Sequence, residues 1–302
     1  MVLRRVLVAA SSSDRVERLV RSAPPARALV ERHVAGPGAE EAASAAAGLA
    51  ADGLPVTLDH LGRPARTAAD AEDAVKASLT LVDALARRDI AKGADILVRL
   101  PAMGLGLDLG LARRGAARVC EAAAEVGATV TLDADPATAD AVLGVHDALR
   151  EDHPGLGVVV PASLHDAEQI CRSLAPARVR LIRGSTPGVW GAPAYLHPHE
   201  VDRSYVRCLR ALMAGAGTLM IATHDRRLIE IASALAVLNE REPDGFEYQI
   251  SYGLRPPALD RLPGARVRVH VPYGENWYPH LARRLADHPF ALFARGTRPG
   301  SR

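Results

Sequence analysis

The sequence contains almost no lysine, few cysteines and no long apolar run. Lys76 and Lys92 are the only lysines among 37 basic residues, so nearly every cationic side chain is an arginine. Cys120, Cys171 and Cys208 are too few and too scattered for a disulfide framework or a zinc site, which favours a reducing cytoplasm. No stretch of about 20 apolar residues occurs, so the sequence predicts no membrane-spanning helix.

The charge is nearly balanced, because 37 basic residues face 35 acidic residues and the formal net charge is +2. This balance gives no argument for a nucleic-acid partner. The first ten residues hold a short apolar run that is too weak for a secretion signal. With 48% apolar and 24% charged residues, the composition is that of a globular protein and excludes a disordered or fibrous chain.

Short runs typical of β-strands alternate along the chain with stretches rich in alanine, leucine and arginine that are typical of helices. The mean spacing of the runs is about 30 residues, the length of one βα unit. The runs are mostly continuously apolar, as expected of strands that are covered on both faces. Eight units favour a (β/α)8 barrel over an open doubly wound sheet. The eight runs are Pro55–His60, Ile96–Leu100, Ala128–Asp133, Gly157–Pro161, Arg178–Arg183, Thr218–Thr223, Phe246–Ile250 and Arg266–Val271.

The helical period is readable between the runs. One apolar stripe begins at Leu109 and continues through Ala112, Ala116, Val119, Ala123 and Val126, and a second follows Leu228, Ile231, Leu235 and Leu238. Residues 1–50 predict helices with a break at Gly36-Pro37-Gly38, and we expect them to close the barrel floor or lie along its flank. The sequence predicts one α/β domain over 1–302, with the barrel over 55–295 and a final helix over its mouth.

In such a barrel, chemistry belongs at the carboxyl ends of the strands. The candidates there are charged or polar, and the final predicted helix adds the adjacent pair Arg283-Arg284. Arginine pairs can hold a carboxylate with parallel hydrogen bonds, but adjacent arginines also occur by chance on solvated helix faces. The strand ends carry Asp59, His60, Arg99, Asp133, Pro161, Arg180, Arg183, Thr223, His224, Asp225, Gln249, Ser251 and His270.

Other motifs have less specific interpretations. Asp225 suits either a phosphate or cofactor site or a helix cap. His197 and His199 suit a plain surface better than a metal site, so we expect no metal. The glycines of Gly104–Gly110 have the wrong spacing for a dinucleotide fingerprint and predict a βα loop. The three cysteines fall within helical patterns and predict buried packing.

Several strings in one register resemble the flavin-dependent proline dehydrogenases. The segment Val269–Leu285 contains Pro-Tyr-Gly-Glu-Asn-Trp followed by Arg-Arg, which is similar to the carboxyl-terminal signature of that family. Val179-Arg-Leu-Ile-Arg-Gly-Ser185 resembles its Val-Arg-Leu-Val-Lys-Gly-Ala. Ile221–Asp225, Phe246–Gln249 and Thr131–Ala134 also fall where the family has similar strings. The resemblance covers nearly the whole chain.

The resemblance implies a (β/α)8 barrel with FAD at its mouth. It also implies an activity, in which a secondary amino acid passes a hydride to flavin N5 and proline becomes pyrroline-5-carboxylate. Arg180 matches an arginine near flavin N5, and Asp133 matches a residue close to the reacting centre. Arg99 stands where the family has a lysine, and Arg283 and Arg284 match the clamp for the substrate carboxylate. The other implied substrate positions are Ala134, Ser251, His270, His280 and Asp287, and the other implied FAD positions are Val159, Arg183, Gly184, Thr223, His224 and Gln249.

The departures from the family pattern cluster on the substrate side. Thr186 replaces a tyrosine and Ser251 replaces a leucine, while His270 and His280 occupy two further tyrosine positions. Pro161 replaces a glutamine on the cofactor side and removes a backbone donor. Smaller or more polar side chains weaken contact with a bare pyrrolidine ring by a few kcal/mol if all face the site.

The sequence therefore supports a flavin enzyme that oxidises proline, or a larger or more polar amino acid such as a hydroxylated proline. His270 or His280 would then hydrogen-bond the substrate or accept a proton, or else merely fill tyrosine space. A barrel that binds a ligand without catalysis is the alternative from another class. The family implies a membrane quinone as electron acceptor and peripheral contact with the inner membrane, whereas the oligomeric state is not encoded in any visible motif.

Overall fold

Eight parallel strands close into a barrel in the order in which they occur in the chain. The computed structural model describes residues 24–184, 193–254, 258–259, 262 and 264–287, and it describes no side chains for 24–28 and 283–287. Each strand was predicted to within about two residues at its ends. The strands are β1 (Val56–His60), β2 (Asp95–Arg99), β3 (Thr129–Asp133), β4 (Gly157–Pro161), β5 (Arg178–Ile182), β6 (Leu219–Ala222), β7 (Phe246–Ser251) and β8 (Val267–Tyr273).

A helix follows each of the strands β1 to β6 and β8, and two helices precede β1. This arrangement confirms the predicted (β/α)8 barrel, while the domain span 1–302 stays a prediction because both ends of the chain lie outside the described residues. The described helices are α1 (Pro24–His33), α2 (Ala39–Ala51), α3 (Ala68–Arg87), α4 (Leu109–Glu125), α5 (Ala139–Leu149), α6 (Ala167–Ser173), α7 (Pro198–Met213), α8 (Arg226–Leu238) and α9 (Trp277–Asp287).

The strands are buried on both faces, but the two faces differ in chemistry. Hydrogen bonds between strands that are not neighbours, such as Asp95 to Arg178 and Gln249 to Thr57, place polar side chains inside the barrel. Apolar residues at the alternate positions pack outward under the helices. The predicted coverage of the strands on both faces is therefore confirmed. The pleat sends alternate side chains inward, and on most strands some of these are polar, although β4 is apolar throughout.

The two apolar stripes predicted on helices differ in accuracy. On α4 the buried face contains Ala112, Ala116, Val119 and Ala123, as predicted, whereas Leu109 at its start is exposed. On α8 the buried residues are Leu228, Ile229, Ala232 and Ala236, and Leu238 is 77% exposed. The α8 stripe was therefore wrong at Leu238, whereas Ile231 and Leu235 are partly buried and Leu235 packs against the core.

The amino-terminal helices lie along the flank of the barrel and reach its mouth. The break between α1 and α2 falls at 34–38, and α2 packs against α3, β1 and β8. Backbone hydrogen bonds join Ala35 N to Pro272 O and Gly274 N to Gly36 O, each at 2.9 Å, so this segment lies at the carboxyl end of β8. The flank alternative is therefore confirmed and the floor alternative is wrong for residues 24–51.

Three residues separate β8 from helix α9, which contacts α1. The ring of His280 on α9 lies 6.3 Å from the ring of His270, which points into the barrel from β8. The final helix therefore lies at the mouth, as the sequence predicts. Among the helices that the structure describes, none has both the length and the apolar character needed to cross a membrane.

Candidate active site

A cluster of charged side chains occupies the mouth of the barrel at the ends of β1, β2 and β3. Arg99 donates from Nε to Asp59 Oδ1 and from Nη2 to Asp59 Oδ2, both at 2.7 Å. Arg99 Nη1 lies 3.3 Å from Asp133 Oδ2. The parallel strands align these positions, since Arg99 pairs in register with Asp133. One guanidinium therefore joins two carboxylates contributed by two other strands.

Asp59 is the residue of this cluster to which no sequence motif assigns a role. Its side chain is 0% exposed, and besides Arg99 it contacts His270 Nε2 at 3.1 Å from Oδ2. Burial alone would raise the pKa of Asp59, but the charge and hydrogen bonds of Arg99, together with His270, hold it well below its usual range. Its position at a strand end was the one feature of the sequence that could have identified Asp59 as a site residue.

Asp133 shares the cluster but behaves in the opposite way. Burial raises the pKa of its carboxyl, and the negative charge of Asp59 adds to this effect, so the cation of Arg99 is outweighed. The pKa of Arg99 is itself raised, because Asp59 and Asp133 overcome the effect of burial. Ala134, which follows Asp133, is buried beside the same strand end. The mouth therefore contains one carboxylate held ionised and one that binds a proton more readily.

Arg180 lies inside the barrel on β5, only 9% exposed. Its Nε donates to Gln249 Oε1 on β7, and within the described residues this is the only hydrogen bond that the guanidinium makes. Burial lowers the pKa of Arg180 despite the nearby Asp133, Asp59 and Asp95. Arginine nonetheless keeps its charge in proteins, so Arg180 is a poorly hydrated cation with donors left over.

The predicted cofactor positions on and after β4 and β5 have different surroundings, and one of them lies beside Arg180. Val159 is buried and pairs in register with Arg180. Gly184 has φ +81°, and a Cβ there would lie 2.4 Å from Ser163 Oγ and 3.0 Å from the Cβ of Pro161, so only glycine fits. Arg183 is held against α7, 2.8 Å from Asp202 and 3.3 Å from the carbonyl of Pro198.

The end of β6 is organised by hydrogen bonds within the chain. Thr223 Oγ1 accepts from the backbone N–H of Asp225, and Asp225 accepts from Arg227 N at 2.8 Å, which confirms the helix-cap alternative for Asp225. His224 Nε2 accepts from the backbone N–H of Ser251 at 3.1 Å. His224 and Ser251 are thus brought together, and contacts of Thr223 and His224 with a cofactor stay predictions.

The predicted carboxylate clamp falls on the part of α9 whose side chains lie outside the described residues. The backbone of α9 carries Arg283, Arg284 and Asp287 at its carboxyl-terminal end. His280, one turn earlier, is described and lies near His270. Thr186 also lies outside the described residues. The clamp therefore stays a prediction, although its helix begins at the mouth as the clamp requires.

Comparison with known proteins identifies the family of this barrel. The family model described as proline dehydrogenase matches residues 42–287, which is most of the chain and includes all eight strands. The chain belongs to the proline dehydrogenase family. This membership indicates an oxidoreductase, and it confirms the resemblance found in the sequence.

Individual proline dehydrogenases are similar over most of their length. The chain is 30% identical to the proline dehydrogenase of Deinococcus radiodurans over 95% of this chain and 94% of that protein. It is 27% identical to proline dehydrogenase 2 of Bacillus subtilis over 80% of both proteins. At this level of identity, substitutions at individual site positions are expected and are judged from their contacts.

Solved structures with the same fold come from longer proteins. Proline utilization A from Bdellovibrio bacteriovorus, inactivated by N-propargylglycine, matches with a TM-score of 0.78 and 20% identity over 87% of this chain. Proline utilization A from Bradyrhizobium japonicum matches with a TM-score of 0.69 and 21% identity over 91% of this chain. The chain spans about a third of the length of both, so the likeness shows the barrel fold alone.

Proposed function

We propose that this proline dehydrogenase family member oxidises proline, or a closely related secondary amino acid, to the cyclic imine with FAD as cofactor. The observation that supports this most is Arg180, a buried cation whose remaining donors face no acceptor in the described chain. Such a group fits the electron-rich edge of a flavin. Gly184 fits as well, since a Cβ there would clash with Ser163 and the position therefore presents backbone rather than a side chain.

When bound, FAD supplies the acceptor for the hydride that leaves the carbon next to the substrate nitrogen. Arg180 would stabilise negative charge beside the cofactor. Val159, Arg183, Gly184, Thr223, His224 and Gln249 are the further positions proposed for the cofactor side, of which Gln249 acts through Arg180. Asp133, whose pKa is raised by burial, is suited to take the proton that the substrate nitrogen must lose.

The substrate carboxylate is proposed to lie against cations. Arg283 and Arg284 on α9 would hold it with parallel hydrogen bonds. Arg99 contributes positive charge from the other side, but Asp59 occupies its Nε and Nη2, so Arg99 is a fixed cation rather than a second clamp. Ala134, Ser251, His270, His280 and Asp287 are proposed to line the same pocket.

A larger or more polar substrate is a second candidate, and one observation favours it. Ser251 and His270 stand at positions where the family has leucine and tyrosine, and His270 is tied to the charged cluster through Asp59. A wall of this kind offers hydrogen bonds where an apolar ring would prefer aromatic contact. If proline reduced the bound flavin faster than every bulkier or hydroxylated analogue, this candidate would be wrong.

The deciding experiment is anaerobic mixing of the FAD-loaded protein with proline, with the loss of yellow flavin absorbance as the readout. We expect proline or a related secondary amino acid to remove the absorbance. Replacement of Arg283 and Arg284 by methionine should raise the amino-acid concentration needed by about tenfold or more, because charged hydrogen bonds are lost. The matched control replaces the exposed pair Arg113 and Arg114 on α4 and should change nothing.

A protein that takes up no FAD would contradict the proposal and favour the alternative of a binding barrel without catalysis. The electron acceptor is proposed to be a membrane quinone, reached from the cytoplasm by peripheral contact with the inner membrane. Sedimentation with lipid vesicles that contain a quinone analogue, followed by reoxidation of the reduced flavin, tests that part separately.

A further inference from the structure

A series of hydrogen bonds, here called the relay, runs inside the barrel from Arg180 through Gln249 and Thr57 to Asp95. Arg180 Nε donates to Gln249 Oε1, and Gln249 Nε2 donates to Thr57 Oγ1 at 2.9 Å. Thr57 Oγ1 in turn donates to Asp95 Oδ2 at 3.0 Å. The relay ends at the carboxylate of Asp95, which Arg178 Nη1 contacts at 2.9 Å. These residues come from β5, β7, β1 and β2, so tertiary structure alone brings them together.

In each hydrogen bond of the relay, the chemistry of the side chains determines which group donates and which accepts. Asp95 is fully buried, and the charges of Arg178 and Arg268 with the surrounding hydrogen bonds lower its pKa despite burial, so it only accepts. Thr57 has a single hydroxyl proton and gives it to Asp95, which leaves its oxygen as an acceptor. Gln249 must then turn its NH2 group to Thr57 and its oxygen to Arg180. The amide therefore has one favourable orientation.

We propose that Gln249 and Thr57 are positioning residues, which hold the guanidinium of Arg180 by Nε so that its two Nη groups face the cofactor at the mouth. Thr57 and Gln249 are themselves buried below the mouth. Both act through Arg180 and not by contact with the flavin or the substrate. The inference rests on the proposed FAD-dependent function, and it replaces the sequence-based interpretation of Gln249 as a cofactor contact.

A held cation and a mobile one differ in their effect on a flavin. A guanidinium at a fixed distance stabilises the reduced, anionic cofactor more strongly than one that moves or rehydrates, because preorganised charge needs no rearrangement. Loss of the relay should therefore make the bound flavin harder to reduce. An altered reduction equilibrium is a readout that a merely structural role of a buried threonine would not move.

The test compares Thr57→Val with Thr57→Ser in the FAD-loaded full chain. Valine keeps the shape of threonine but removes the hydrogen bonds of residue 57 with both Gln249 and Asp95, whereas serine keeps the hydroxyl group. We expect T57V to lower the two-electron reduction equilibrium of the bound flavin by about tenfold, which corresponds to a potential about 30 mV more negative. The turnover number for the amino acid should fall with little change in KM, and T57S should behave as the wild type.

The relay also predicts that its members are coupled. Gln249→Met removes the acceptor of Arg180 and should shift the potential in the same direction as T57V. In the double variant the two shifts in potential should not add, because either substitution alone already interrupts the relay. If T57V does not fold, Q249M alone decides by the same potential measurement. Thermal unfolding and the visible spectrum of each FAD-loaded variant serve as controls for folding and loading.

Different results would overturn the proposed function and the relay. A wild-type chain that binds no FAD would overturn the proposed function and the relay together. A folded, FAD-loaded Q249M or T57V whose potential equals that of the wild type would overturn the relay alone. Additive shifts in the double variant would also overturn it, since they would show that the two residues act independently.

Discussion

At the scale of single residues, the mouth depends on Asp59, a carboxylate that serves three donors. Arg99 takes both oxygens and His270 contacts one of them, so this one acid orients a cation and an imidazole at once. A buried acid in such a position is stable only because its partners offset the loss of water. The sequence marked Asp59 as a strand-end residue but contained no motif that assigned it a partner.

We predict that Asp59→Asn destabilises the fold, because it leaves Arg99 and His270 beside an uncharged amide. The expected loss is about 3 kcal/mol in the free energy of unfolding, measured by urea denaturation at neutral pH. The matched control is Glu72→Gln, which breaks an exposed pair with Arg118 and should leave the unfolding curve unchanged. Equal curves for D59N and the wild type would contradict the buried cluster.

His146 on α5 links a single side chain to the pH dependence of stability. It is buried, its Nε2 lies 3.3 Å from the carbonyl oxygen of Leu156, and burial lowers its pKa from the ordinary value near 6.5. The unfolded chain therefore binds a proton at a higher pH than the folded chain does. The stability that neutral His146 supports is fully present above about pH 6.5 and is lost as the pH falls through the lowered folded pKa.

We predict that the free energy of unfolding falls between about pH 7 and pH 5, and that His146→Gln falls less steeply. Glutamine keeps a donor for the carbonyl of Leu156 but does not titrate. Part of the slope should remain in H146Q, because burial also lowers the pKa of His60. Urea denaturation at each pH measures the slope, and identical slopes for the two proteins would show that His146 does not carry this dependence.

At the scale of structural elements, the turns after the strands determine what reaches the mouth. Helix α8 begins at Asp225, whose carboxylate caps it, and helix α3 begins with a reciprocal cap between Thr67 and Asp70. The turn after β5 depends instead on Gly184, whose positive φ and contact with Ser163 exclude a side chain. Side-chain caps therefore start α3 and α8, whereas a glycine shapes the turn after β5.

We predict that Gly184→Ala costs more stability than Gly53→Ala. Both glycines have positive φ, +81° and +75°, but a Cβ at 184 meets Ser163 and Pro161 whereas a Cβ at 53 meets nothing within 4 Å. The strain of left-handed backbone costs about 1 kcal/mol at either site, and the clash should add about as much again at 184. Thermal unfolding measures both variants.

The same pair of variants reports on the cofactor side. G184A should also weaken FAD binding, measured by the change in flavin fluorescence on titration with the protein, while G53A should bind as the wild type does. Indistinguishable stability of the two variants would mean that the contact with Ser163 relaxes freely. Unchanged FAD affinity of G184A would remove Gly184 from the proposed cofactor site.

At the scale of the whole molecule, the barrel interior contains equal numbers of acidic and basic side chains, here called the charged lattice. The inward positions of the described strands carry four carboxylates and four guanidiniums, arranged so that each acid has a cationic neighbour. Such a balance lets charged groups stay buried, since unpaired ions inside a protein cost several kcal/mol each. The members are Asp59, Asp95, Asp133, Glu247, Arg99, Arg178, Arg180 and Arg268.

We predict that Asp95→Asn destabilises the barrel by about 3–4 kcal/mol, because Asp95 accepts from three threonines as well as Arg178 and so ties four strands together. Urea denaturation of the full chain measures the loss. Glu230→Gln, which breaks an exposed pair with Arg226, is the control and should show no measurable change. A loss for D95N no larger than that of the control would mean that the lattice contributes no net stability.

Spacing and periodicity in the sequence were sufficient for the architecture. Eight runs at the length of a βα unit predicted the closed barrel, and the strings around Asp133, Arg180 and Arg283-Arg284 predicted the family. Local signals suffice here because a parallel strand and its following helix repeat as a unit, and because a strand end is recognisable without its neighbours. The loop after β2 was predicted for the same reason at residues 104–108, although Gly110 already belongs to α4, and the cap at Asp225 was one of two alternatives.

Partnership inside the barrel was decided by the tertiary structure. Asp59 with Arg99 and His270, and Arg180 with Gln249, Thr57 and Asp95, join residues that lie between about 40 and 210 positions apart in the chain. No local pattern encodes which of many inward polar side chains will meet, because that depends on strand register and on the closure of the sheet. The family and fold are therefore properties of the sequence pattern, whereas the charged lattice that holds the mouth together exists only in the closed barrel.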